Sequence, residues 1–174
     1  MIKVVQLDVK SSTPMLANLG MIPIPKDAFA EGRISKPELI AGAVQQLLTN
    51  LKIKTRQVAA SISGYEVMIK KIDLPTMSEE DLDNRMQTEL GQYIPYNIEE
   101  VGVDYQILGM SKDRASHMEV LLVAAKKESI NDFLGLLKLC GLDAAIVDVD
   151  FFALGNAFEA ARGAEPESVA LIDI

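Results

Sequence analysis

The chain has 174 residues, 49% hydrophobic and 24% charged. This is the composition of a folded globular protein and excludes a disordered or fibrous chain. Lys plus Arg number 17 against 25 for Asp plus Glu, a net charge of −8, which excludes a general attraction to nucleic acid or anionic lipid. The one cysteine, Cys140, permits no internal disulfide and fits a reducing compartment.

The start, Met1 to Val5, has no basic region followed by a long apolar run, so it does not read as a signal peptide. The longest apolar runs, such as Leu121 to Ala125, fall far short of the ~20 residues that span a bilayer. A soluble chain is expected, with any membrane role passing through a partner.

Ile2 to Asp8 is rich in β-branched and apolar residues and predicts a strand. A strand that opens so early predicts further structure upstream. Met15 to Ile24 reads as a second strand, bracketed by Pro14, Pro23 and Pro25. Ser35, Lys36, Pro37 and Glu38 form a capping-box pattern with proline in the first turn. Leu39, Ile40, Ala43, Val44, Leu47, Leu48 and Leu51 then recur at helical spacing. Gln57 to Ser63 is a short buried strand, broken by Gly64.

From Val67 the pattern becomes regular. Val67 to Leu74 is a strand, and Ser78 to Asp81 caps a helix carrying Leu82, Met86 and Leu90. Val101 to Leu108 alternates, with Val101, Val103, Tyr105 and Ile107 on one side. Met118 to Ala125 is more continuously apolar and predicts a central strand. A helix over Glu128 to Cys140 ends at Gly141, and Asp143 to Val149 is the next strand. A helix over Phe151 to Arg162 follows, and Val169 to Ile174 begins another strand.

The fold class expected is α+β. Residues 67 to 149 read β-α-β-β-α-β, an antiparallel sheet covered by two helices. The simplest organisation places this unit, 64–149, as an insert within an outer part made of 1–63 and 150–174.

Several separated motifs resemble one family. Leu74 to Leu82, Gln92 to Tyr96, Val103 to Tyr105, Val123 to Lys127, and Gly141 to Val149 followed by Ala153 and Leu154 are similar to the PilM proteins of type IV pilus assembly. These are FtsA-like members of the actin-like superfamily. The resemblance implies a discontinuous, ribonuclease H-like core subdomain, here partial, with an inserted small α+β subdomain. It implies a cytoplasmic adaptor, peripheral to the inner membrane, that takes part in the inner-membrane alignment complex. Its implied partner is the N-terminal cytoplasmic tail of PilN, with no nucleic acid and no direct membrane insertion; contact of the insert with other pilus assembly proteins, or with a second copy in a homodimer, is a separate reading.

The same resemblance implies that the intact family binds ATP and magnesium. The family's first phosphate loop, of Gly-x-Asp-x-Gly type, would precede Met1, and Leu171 to Ile174 match the strand before the second. The chain therefore reads as truncated at both ends, with no cofactor bound by this piece, because glycine loops are what let backbone N–H groups close on phosphates. Asp173 corresponds to the carboxylate that organises magnesium, or else is simply the end of a strand.

Tyr93, Ile94, Pro95 and Tyr96 combine aromatic surface, hydroxyls and a fixed bend, a mixture suited to a peptide groove. The alternative for these four is a helix end packed on its own sheet. His117 lies in a polar turn with no Ser or Cys partner. Glu79, Glu80, Asp81 and Asp83 complement a helix dipole, and no spacing assembles a metal site. Lys70-Lys71 and Lys126-Lys127 read as solvated strand ends.

No catalytic residue is assigned and no enzyme is expected. The second reading is an FtsA-like cell-division protein or actin-like polymer subunit. The third is a hydrolase of ferredoxin-like fold, whose anion loop would be Pro75 to Met77, a segment with neither glycine nor arginine.

Overall fold

The computed structural model describes residues 1–10, 14–30, 33–62, 67–163 and 169–172. They form two units, one of Met1–Ala60 with Asp132–Val147, the other of Ser61–Asn131 with Asp148–Ile174.

In the first unit, β1 (Ile2–Asp8) and β2 (Met15–Ile22) form an antiparallel hairpin with a register shift at Gln6/Leu7. Two-residue strands β3 (Phe29–Ala30) and β4 (Arg33–Ile34) pair next, and no alternation in the sequence marked them. They lead into α1 (Pro37–Asn50). The capping box anticipated at Ser35 does not form. Pro37 is the first helical residue, so Lys36 occupies the N-cap, without a side-chain cap bond. The Ser35 hydroxyl instead donates to the Asp27 carbonyl at 3.1 Å.

One face of α1 buries Ile40, Ala41, Val44 and Leu48 in a core shared with Ala28, Ile53, Leu136, Cys140 and Leu142, against which Ile2 and Val4 pack. Gly20 lets the hairpin come close. A Cβ there would stand 2.6 Å from Leu51 Cδ1 and 2.8 Å from Leu47 Cδ1.

In the second unit, β6 (Val67–Pro75), β7 (Val101–Met110) and β8 (His117–Lys126) form a three-stranded antiparallel sheet in the order β6-β8-β7. The more continuously apolar β8 is central, as its pattern predicts. Val120 and Leu122 on β8 and Leu82 on α2 (Glu79–Tyr93) are fully buried.

β5 (Gln57–Ile62) and β9 (Asp143–Val149) make a separate two-stranded pairing. The elements from β6 to β9 keep the expected β-α-β-β-α-β order, yet the sheet differs from the one expected. β9 is not its fourth strand, and α3 (Lys127–Leu139) sends Leu136 and Leu137 into the α1 core. The cause is the turn after α3. Gly141 adopts φ +74°, its N–H bonds the Lys138 carbonyl at 2.9 Å, and Leu142 N–H bonds the Leu137 carbonyl at 2.9 Å. This left-handed stop sends Asp143 to the Arg56 carbonyl at 2.8 Å, and so to β5.

α4 (Asp150–Arg162) closes the described helices and buries none of its residues fully. Val169 to Ile172 form no strand. A strand needs a ladder partner, and here Val169, Leu171 and Ile172 are 50%, 41% and 80% exposed. No helix among the described residues is long and apolar enough to cross a membrane.

Candidate partner-binding surface

α2 begins where Ser78 caps it. The Ser78 Oγ accepts from the Asp81 N–H at 3.2 Å and donates to Asp81 Oδ2 at 2.7 Å. Three carboxylates, Glu79, Glu80 and Asp81, stand in the first turn, where the helix dipole favours them. Leu82 and Met86 point to the sheet.

At its far end the helix stops at Ile94, whose φ −108° and ψ 121° are extended. Pro95 enforces this by disfavouring helix at the residue before it. The four residues of the predicted groove then divide. Ile94 is 3% exposed and sits in the core with Leu74 and Val120. Tyr93 is half-buried against the same core, and its carbonyl accepts from Lys70 Nζ at 3.4 Å. Pro95 is exposed and Tyr96 is 48% exposed. Lys70 and Lys71 lie mid-strand rather than at a strand end, with Lys71 paired to Glu119 at 3.0 Å.

The bend is held from both sides. Asn97 Oδ1 accepts from Glu99 N–H at 3.2 Å and caps a 3-10 turn, Ile98–Glu100, that hands the chain to β7. Along α2, Arg85 Nε meets Glu89 Oε2 at 2.7 Å, and the guanidinium is held still more firmly charged by Glu89 and then by Tyr93.

A second concave region went unread in the sequence. Near the start of α2, Glu79 and Asp83 join Tyr105, Gln106 and Ile107 of β7 around a cleft of about 330 Å³. The Tyr105 hydroxyl donates to Asp83 Oδ1. That hydrogen bond, then burial, then the nearby carboxylates push the phenol up to about 12. The sequence signal was available, since the helix's acidic turn and the alternation of β7 were both visible, but their juxtaposition was not.

His117 opens β8, with Nδ1 3.0 Å from the Ala115 carbonyl. Cys140 is 3% exposed, and burial pushes its thiol up. Asp173 lies outside the described residues.

A mixed α/β chain with an exposed aromatic bend at a helix end is the class this geometry defines. Solved structures that resemble it include the following two. A PilM–PilN type IV pilus biogenesis complex matches with a TM-score of 0.76 and 26% identity, over 91% of this chain and 47% of that one. The cytoplasmic domain of EpsL, an inner-membrane component of the type II secretion system of Vibrio cholerae, matches in fold, with a TM-score of 0.54 at 15% identity over 87% of this chain and 52% of that one. The chain thus spans about half the length of the structures it matches. The profile of type IV pilus assembly protein PilM covers residues 1–174, and the chain belongs to that family.

Proposed function

We propose that this chain is the recognition part of a cytoplasmic adaptor in type IV pilus assembly, and that it binds the N-terminal cytoplasmic tail of a PilN-type inner-membrane protein. The observation that carries this reading is its likeness to a PilM–PilN complex over 91% of its length. In this reading the sheet β6-β8-β7 with α2 is the inserted recognition subdomain, and β1, β2 and α1 belong to an actin-like core. The chain acts by binding rather than by catalysis, and it reaches the membrane through its partner. ATP and magnesium belong to the intact protein.

The contact is centred on Tyr93 to Tyr96. Ile94 anchors the bend from inside, while Pro95 and Tyr96 present a rigid apolar face with a hydroxyl. A rigid aromatic side chain of this kind supplies contact area at low entropic cost.

Isothermal titration of the chain with a PilN tail peptide tests this. Saturable binding is expected, and Tyr96→Ala should weaken it about tenfold. Absence of binding at high micromolar peptide would overturn the adaptor reading. Binding unaffected by Tyr96→Ala would move the contact elsewhere.

A further inference from the structure

Among the described residues, the sheet of the second unit ends at β7, which has a neighbour, β8, on one side only. Its ladder shows which backbone groups face the open side. The Ser111 N–H bonds the His117 carbonyl at 2.8 Å, closing the hairpin, and the register shifts by one residue between Ile107 and Gly109. Before that bulge, the Tyr105 N–H donates to the Asp104 carboxylate at 2.9 Å rather than to β8. Antiparallel ladders alternate, so Val103, Tyr105 and Ile107 all turn their N–H and carbonyl groups outward.

An open edge of this kind is a template for a further strand. Two features here restrict what can pair with it. The Asp104 carboxylate stands in for the missing acceptor at Tyr105, so an incoming strand must displace it. Carboxylates also flank the edge on both faces, Asp83 and Glu79 on the α2 side in the cleft and Asp104 on the other. A neutral or acidic strand would bring nothing to meet the released Asp104 charge. A strand with Lys or Arg at adjacent positions would meet carboxylates on both faces.

We infer that the outer edge of β7 is a second docking surface, separate from Tyr93 to Tyr96, which takes an extended cationic peptide segment by strand addition. The added strand pairs with the backbone of Val103, Tyr105 and Ile107. Its basic side chains lie against Asp83 and Glu79 on one face and Asp104 on the other. Charge selects the partner and the backbone supplies the register.

The test is amide NMR on the whole 19.0 kDa chain with three synthetic peptides: repeating Lys-Lys-Val-Val, repeating Glu-Glu-Val-Val, and the Lys/Val peptide N-methylated at every residue so that neither edge can pair. The Lys/Val peptide should shift the amides of residues 103–107 in a saturable way. The acidic peptide should not, and the N-methylated peptide should lose binding because it cannot pair. Asp104→Asn and Asp83→Asn should each weaken the Lys/Val peptide about threefold, and added salt should weaken it further. Equal binding by the N-methylated peptide would show charge adhesion without strand addition and overturn the proposal. So would binding of the acidic peptide, shifts centred elsewhere, or no shifts at all. Because the PilN-tail titration reads out at Tyr96, either proposal can fail alone.

Discussion

Two sheets in this chain treat their apolar residues differently. In the sheet β6-β8-β7, every second residue of the middle strand disappears beneath α2: Met118, Val120, Leu122 and Ala124 are all 3% exposed or less. In the hairpin β1-β2, only one face is covered. Ile2 and Val4 pack toward the α1 core, while Val5, Leu7, Leu19 and Met21 stand on the other face at 55%, 51%, 53% and 56% exposure. Val5 lies opposite Leu19 in the register, so these side chains form a continuous strip rather than scattered positions. A sheet apolar on both faces is built to be covered on both. Among the described residues, the three-stranded sheet carries its own cover and the hairpin has half of its own.

The largest effect that would break this contrast comes from truncating matched leucines. Leu122→Ala should cost about 2–5 kcal/mol, because the cavity opens in a packed core. Leu19→Ala, on the open strip, should stay within about 0.5 kcal/mol. Urea melts of the two variants measure both. Comparable losses would mean that the hairpin's outer face is buried after all. Hydrogen exchange sharpens the same point, since the amides of β1 and β2 should exchange faster than those of β8.

Within the hairpin, the covered face should behave like a core. Gly20→Ala places a methyl against Leu47 and Leu51, so those side chains must swing away. A loss of about 1–2 kcal/mol is expected. An unchanged melting midpoint would show that the helix and hairpin are not in close contact.

The contrast also explains what could be read from the residues alone. β8 was legible as the central strand because its run from Val120 to Ala125 is apolar without a break. The stop of α3 was legible because Gly141 is the one residue type that takes φ +74° cheaply. The aromatic bend was legible as a bend, because Pro95 fixes Ile94, but the burial of Ile94 was not. Burial depends on Leu74 and Val120, which are distant in sequence. The partner of β9 was illegible for the same reason, since element order constrains neighbours without choosing among free edges. The capping box at Ser35 misled because two competing signals overlapped, and the proline at the first helical position set the boundary.

A smaller effect separates the two helices. α2 has a side-chain cap and α1 has none. Ser78→Ala should therefore cost about 1 kcal/mol, whereas Ser35→Ala should be near neutral. A urea melt of each variant checks this, and equal losses would place a cap at Ser35.

The smallest effect on stability falls at the α2–β7 cleft, where the readout is spectroscopic. The Tyr105 phenol is pushed up to about 12, first by its hydrogen bond to Asp83, then by burial and nearby carboxylates. An unfolded tyrosine titrates at about 10. Between these values the folded chain holds a proton that the unfolded chain has released. This contribution to stability is fully present below pH 10 and is lost as pH rises toward 12. Subtracting the phenolate absorbance curve of Tyr105→Phe from that of the parent isolates the group. Its midpoint should fall toward the ordinary value in Asp83→Ala, which removes both the acceptor and its charge. A midpoint unchanged by Asp83→Ala would mean that burial alone holds the proton. The cleft would then lack the carboxylate–hydroxyl contact that fixes Asp83 beside the open edge of β7.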